Sequence, residues 1–335
     1  MKAKLLAAAD KLNIYPLFNG YTKNTATIFM LHRFTPAGVE RPDCTSASLL
    51  AKFLDYLKRN DYRVMPLSGY VDALIRGRDT RKTVVFTVDD GYRDIYEHAF
   101  EVFKRFDCTA AVFLTSDFIE GKLFFWWDAI EYVVNHANTS EFDLAFLGPG
   151  KFRAENLERR AELVARITEH CKLLNNADKL SFINDFGNKV GVEIPPVPPD
   201  EYAPLNWEQI KEMRTSGIEF FAHTVTHPIL SKVPVEQQRN EICRSRAVLE
   251  NHLNTRCDIF CYPNGGPGDF TEDTIAALKS AGFIAAVTGI AGFDSTKGPT
   301  DLFRIRRFSI PSNEILFKQY ICGLENFKAR LMSRG

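Results

Sequence analysis

The sequence predicts an α/β fold in which a parallel sheet of roughly eight strands alternates with helices over 335 residues. Three observations carry this. Short runs rich in β-branched and aromatic residues alternate with longer segments of helical apolar spacing, the pattern of a parallel sheet, closed or open. The residues with most chemical potential, His32, Asp89, Asp90 and His223, fall at the C-terminal ends of those runs, where a barrel places its chemistry. No internal repeat is present, which excludes solenoids and propellers.

In chain order, Thr25–Arg33 reads as a first buried strand with His32 at its end, and Ser46–Asn60 as a helix with Leu49, Leu50, Phe53, Leu54 and Leu57 on one face. Tyr62–Leu67 is a second strand and Val71–Ile75 a short helix. Thr83–Val88 is a third strand, uncharged throughout, followed by a helix over Asp94–Phe106 and a strand over Cys108–Thr115. A long segment, about 121 to 205, opens on Phe124-Phe125-Trp126-Trp127-Asp128. It carries charged helices near 128–137, 154–175 and 178–188 and closes on Pro195, Pro196, Pro198 and Pro199. Both its ends return to the strand pattern, so one barrel domain over 1–335 with a helical insertion packed over one end is expected. Alternation then resumes: helix Trp207–Ser216, strand Gly217–Ala222, helix Val235–His252, strand Cys257–Tyr262, helix Thr271–Ser280 and strand Phe283–Thr288. Leu302–Ile310 is a last strand and Ser312–Met332 a closing helix.

Lys plus Arg equals Asp plus Glu, 42 each, so the net charge is zero, which argues against a general nucleic-acid binder. The seven cysteines are scattered and odd in number, fitting a reduced, cytoplasmic setting. The stretch Met1–Asp10 has an apolar run too short for a secretory h-region, and residues 1–20 read as a short surface helix. The expected location is the cytoplasm, or the inner face of the membrane with at most peripheral contact, since zero net charge gives no long-range attraction to anionic lipid.

Asp89-Asp90-Gly91 follows the third strand directly. Neighbouring side chains on a strand point to opposite faces, so the backbone must turn for both carboxylates to reach one site, and Gly91 permits that turn. Like charges so close repel unless a cation lies between them. The structural alternative is a plain Asp90-Gly91 turn, with Asp89 capping the helix that starts near Asp94. His223-Thr224-Val225-Thr226-His227 likewise follows a strand directly. Two imidazoles four apart in a turn can face one ion, or form a hydrogen-bonded pair. Two histidines plus one carboxylate make a familiar hydrolytic metal site.

Thr87-Val88-Asp89-Asp90-Gly91 resembles the first motif of the polysaccharide deacetylases, the NodB-type carbohydrate esterase family 4. His223-Thr224-Val225-Thr226-His227 is similar to the second, His-Ser/Thr-x-x-His, and Phe260-Cys261-Tyr262-Pro263-Asn264-Gly265 resembles the third. The likeness runs from about residue 25 to 310 and covers the insertion poorly. It implies a distorted (β/α) barrel that removes N-acetyl groups from amino sugars. It implies that Asp90, His223 and His227 hold one divalent metal, with zinc favoured by ligand type and Co²⁺, Ni²⁺ or Mn²⁺ as alternatives. Asp89 would be the general base, and the backbone N–H of Asn264 would help hold the oxyanion.

The chain departs from the family pattern in three places. Cys261 stands where many members have an arginine that orients the base. No histidine follows His252, so the late Leu-x-x-His motif that supplies the general acid is missing. Asn264 stands where an aromatic residue is common. First and last strands of a closed barrel are neighbours, so His32 is expected to fill the vacant general-acid place. Arg33 and the strand Phe303–Arg307 are the remaining cationic candidates, with Arg307 taken as the catalytic one. Trp126 and Trp127 either line a sugar site or pack in a core. The expected substrate is an N-acylated amino sugar, nucleotide-, lipid- or glycan-linked, and a biosynthetic intermediate if the enzyme is cytoplasmic. A metal-dependent amidase on a non-sugar amide or formyl group, or a catalytically inactive glycan-binding barrel, stands as the alternative.

Overall fold

The computed structural model describes residues 14–148 and 150–332; the N-terminal segment read above as a short surface helix lies largely outside them. The chain divides into two compact units, 1–119 with 205–335, and 120–204.

The first unit is built on one sheet of eight strands, all pairing in parallel. The strands are β1 (Ala26–Leu31), β2 (Arg63–Val64), β3 (Thr83–Val88), β4 (Ala111–Leu114), β5 (Glu219–Ala222), β6 (Ile259–Cys261), β7 (Ala285–Val287) and β8 (Phe308–Ser309). The order is β7-β6-β5-β4-β3-β1-β8, with β2 paired to β3. Every residue of β3 and β4 is buried, as expected of strands covered on both faces. The sheet curls into a distorted (β/α) barrel, and the segment 302–307 closes the seam. It bonds to β7 through Ala286 N–H to Leu302 O (2.8 Å) and Ile305 N–H to Ala286 O (3.0 Å), and β8 then pairs with Phe29 and Met30 of β1.

The expected last strand over Leu302–Ile310 is therefore mostly irregular. Asp294 takes the Arg306 N–H at 2.7 Å and the Arg306 guanidinium at 3.0 Å, drawing this backbone out of a regular ladder. The closing helix is also two helices, Glu314–Ile321 and Leu324–Met332. Gly323 between them has φ +95°, and a Cβ there would run into the carbonyl of Phe18, which packs close against the break. The helix after β3 begins with a π-turn over Ile95–Ala99 before turning α-helical at Phe100–Arg105. Asp89 does not cap it, because its carboxylate is engaged elsewhere.

The second unit holds helices Trp126–His136, Leu157–Leu173 and Asn176–Val190, and a small antiparallel pair, Glu141–Phe142 with Phe152–Arg153. It has its own core of Ile130, Val133, Phe142, Leu163, Ile167 and Phe186. Trp126 packs partly buried against that core with the Lys179 ammonium 4.6 Å from its ring centroid. Trp127 stacks on Phe125 at 4.4 Å. No helix among the described residues is long and apolar enough to cross a membrane.

Candidate active site

The register of the barrel sets the site. Leu31 of β1 pairs with Val88 of β3, so His32 and Asp89 leave the sheet side by side, and the Asp89 N–H still reaches Leu31 O at 2.9 Å. The backbone then turns sharply: Asp90 has φ +76° and Gly91 φ +94°. This left-handed pair lets both carboxylates face one centre. The region is tolerated by Asp better than by most side chains and freely by Gly. A Cβ at Gly91 would also lie 2.8 Å from the side-chain ends of Leu114 and Ile119, which would have to shift to admit it.

Across the barrel mouth, the His223 N–H extends the β4–β5 ladder to Leu114 O at 2.9 Å. Thr224 (φ +66°) and His227 (φ +57°) bend the following turn so that both imidazoles converge. Their Nε2 atoms are 3.1 Å apart, and each is 3.5 Å from Asp90 Oδ1. Ligand atoms of Asp90, His223 and His227 all lie within 4.8 Å of one another, and all three residues are buried.

This donor set fits a cation. Asp90 Oδ1 is buried and has no hydrogen-bond partner among the described residues, a costly state for a carboxylate oxygen. His223 Nδ1 is 2.8 Å from Cys261 O, and a carbonyl can only accept. Nδ1 therefore carries a proton, and Nε2 is the nitrogen that faces the centre, where a cation would replace any proton on it. Burial opposes ionisation of Asp90, but the two imidazoles outweigh it and hold its carboxyl below the usual range. Burial, and then the charge of His223, push His227 down to about 3. One carboxylate between two imidazoles that cannot both be protonated is the situation a divalent cation resolves.

Asp89 has different company. The Arg307 guanidinium is buried, and its five donors are all used. Nη1 and Nη2 reach the two Asp89 oxygens at 2.7 and 2.8 Å. Nε donates to Thr288 O at 2.8 Å, Nη1 also to Thr87 Oγ1 at 2.9 Å, and Nη2 lies 3.2 Å from Cys261 Sγ. Burial alone would raise the Asp89 carboxyl, but the guanidinium wins and holds it well below the ordinary carboxylate range. Cys261 also lies 3.5 Å from Asp89 Oδ2, and burial pushes its thiol up, so it stays protonated and donates to that oxygen. His32 Nε2 is 3.9 Å from the same oxygen, with the ring partly open to solvent. Asn264 lies beyond the end of β6 at φ +59°, a conformation that suits Asn.

The structure thus brings Asp89, Asp90, His223, His227, His32 and Arg307 together, and sets Asn264 at the C-terminal end of a neighbouring strand. Arg33 is turned to another use: its Nε pairs with Asp94 at 2.5 Å and its guanidinium stacks 4.0 Å over the Tyr92 ring. Sequence reasoning missed the part of Cys261 as a donor to Asp89, and missed Glu241 behind the histidine turn. A thiol beside a carboxylate and a glutamate inside a charged helix leave no motif; the one available signal was the place of Glu241 on the helix face that carries Ile242, Leu249 and Leu253.

Fold and site define a (β/α)-barrel protein with a carboxylate-and-imidazole centre at the C-terminal mouth of its strands. The polysaccharide deacetylase family model matches residues 76–148 and 181–286, more than half of the chain. The chain belongs to the polysaccharide deacetylase family. YxkH of Bacillus subtilis (strain 168), assigned to the same family, is 32% identical over 103 residues, which are 30% of this chain and 36% of that one; the match spans about a third of the relative's length. Among solved structures, the deacetylase PplD of Streptococcus pyogenes has a TM-score of 0.57 at 19% identity, covering 87% of this chain and 95% of its own. IcaB of Ammonifex degensii has 0.57 at 20%, covering 90% and 97%. A de-N-acetylase of Aggregatibacter actinomycetemcomitans has 0.53 at 17%, covering 89% and 100%. At these identities the likeness is one of fold.

Proposed function

We propose that the chain is a metal-dependent hydrolase that removes the N-acetyl group from an amino sugar. The observation that carries this is the unpartnered Asp90 Oδ1 facing two imidazole Nε2 atoms at 3.5 Å, beside an aspartate held by a buried arginine. Asp90, His223 and His227 would hold the cation, and one carboxylate with two imidazoles favours zinc. Bound there, a divalent cation supplies Lewis acidity, polarising the amide carbonyl and acidifying water.

The remaining work falls to the chain. Asp89, kept ionised and oriented by Arg307, accepts a proton from the attacking water. The Asn264 N–H donates to the carbonyl oxygen as it gains charge. His32, its partly exposed ring 3.9 Å from Asp89 Oδ2, gives a proton to the departing nitrogen as the C–N bond breaks. The products are acetate and a free amino sugar. The seven cysteines, all free, suit a reducing compartment, which supports a cytoplasmic enzyme acting on a nucleotide- or lipid-linked intermediate rather than on an exported polymer.

The test is acetate release from a panel of nucleotide-, lipid- and polymer-linked N-acetyl sugars, with simple formyl and acetyl amides alongside, before and after chelation. Chelator-sensitive turnover of an amino sugar is expected. A chain that takes up no metal, or is equally active with chelator, sinks the reading; metal binding with no turnover of any member points to an inactive glycan-binding barrel.

A further inference from the structure

The turn that carries both histidines cannot hold its shape alone. Thr224 and His227 are left-handed, and the Val225 and Thr226 N–H groups point away from the sheet ladder. Val225 is buried, so its N–H would be costly to leave unpaired. One side of the turn is pinned by the chain after β4: Ser116 N–H to Thr224 O at 3.1 Å, Asp117 N–H to Val225 O at 3.0 Å, and Thr115 Oγ1 to His223 O at 3.1 Å. Among the described residues, the other side is held from one helix. Glu241, on the helix Val235–Leu253 and only 5% exposed, accepts the Val225 and Thr226 N–H groups on Oε2 at 2.8 and 2.9 Å and the Thr226 hydroxyl on Oε1 at 2.7 Å.

The arrangement is unusual for a buried carboxylate. Among the described residues no cation pairs with Glu241, and its partners all come from the histidine turn. Charge-assisted bonds to backbone N–H groups are about twice as strong as neutral ones, so the helix grips the turn between the two imidazoles. The carboxylate also places a negative charge behind a site built to take a positive ion.

We infer that Glu241 is the positioning residue of the histidine turn, setting the approach of the His223 and His227 nitrogens and through it the affinity for the cation. The inference rests on the cation reading above. Outer groups that orient metal-binding histidines are typically worth about 10–100-fold in metal affinity. Glu241→Gln keeps the size of the side chain but offers one acceptor oxygen and no charge.

The test measures Zn²⁺ affinity of the full chain by chelator competition, with melting of the metal-free protein in parallel. Glu241→Gln is expected to weaken zinc binding about 10–100-fold, and Thr226→Val, which removes one of the three bonds and leaves the charge, by less. A residue that only supports the fold would lower the melting temperature of the metal-free protein and leave zinc affinity alone. Zinc affinity within twofold of wild type in Glu241→Gln overturns the inference. Should that variant not fold, Glu241→Asp, with its carboxylate drawn back by one methylene, gives the same reading: weaker zinc is expected, and unchanged zinc overturns it. A wild-type chain that binds no zinc overturns the cation reading and this inference together; wild-type binding that the variants match overturns this inference alone.

Discussion

Arg307 holds Asp89 by both carboxylate oxygens, at 2.7 and 2.8 Å, and both residues are buried. The two residues are 218 positions apart in sequence and meet because the barrel seam closes. The fork geometry fixes the plane of the carboxylate as well as its charge. A lysine would supply the charge as a single point and leave Thr288 O and Cys261 Sγ without a donor. Arg307→Lys is therefore expected to lower kcat by about 10²-fold, the cost of roughly 1 Å of misplacement, with zinc content unchanged. Steady-state kinetics with metal analysis checks it; a variant that loses zinc and activity together would place Arg307 in the metal site.

The two adjacent aspartates should separate cleanly. Asp90 faces the imidazoles, and Asp89 faces the guanidinium. Asp90→Asn is expected to lose metal. Asp89→Asn is expected to keep it and to lose about 10²–10⁴ in rate, the usual worth of a positioned general base. Equal metal loss in both variants contradicts this division.

Asp89 also links stability to pH. Its folded-state carboxyl lies well below the ordinary range because Arg307 outweighs the effect of burial. A depressed carboxyl stabilises the fold above its unfolded value of about 3.9, and that stability is lost as pH falls toward the folded value. The metal-free protein should therefore lose melting temperature steeply below about pH 4–5. Asp89→Asn should start lower, because it leaves a buried guanidinium unpaired, and should fall less steeply over the same range. Parallel acid limbs in the two proteins would mean that this pair does not govern acid unfolding.

The strand ends were legible because chemistry and pattern coincide there: an uncharged run that stops at Asp89-Asp90-Gly91 or at His223 announces both the strand and what it carries. Tertiary partners were less so. Nothing in Phe303-Arg304-Ile305-Arg306-Arg307 distinguishes the buried Arg307 from Arg304, which pairs at the surface with Asp301 and Glu272, or from Arg306, which pairs with Asp294. Alternation narrows the choice, but the segment is not a regular strand, so alternation is a weak guide. In the sequence only Gly91 signals the backbone reversal at Asp90, whereas both residues are left-handed. Similarly, Gly323 breaks the closing helix because of a close approach by Phe18, a contact across 305 positions that helical spacing does not encode.

His32 supplies the final prediction, and it turns on the leaving group. Its Nε2 lies 3.9 Å from Asp89 Oδ2, the oxygen that Arg307 Nη2 also holds, with the ring partly open to solvent. An amide nitrogen cannot depart as an anion and must be protonated as the C–N bond breaks. A nitrophenolate departs without help. His32→Ala is therefore expected to lose about 10²–10⁴ in kcat/KM on an N-acetyl amino sugar, the range of a positioned general acid, and far less on 4-nitrophenyl acetate. Zinc content should not change, because His32 is not among the residues whose ligand atoms converge on Asp90. An equal loss on both substrates would show that His32 orients the substrate or Asp89 rather than delivering the proton, and activity unchanged on the sugar would remove it from the mechanism.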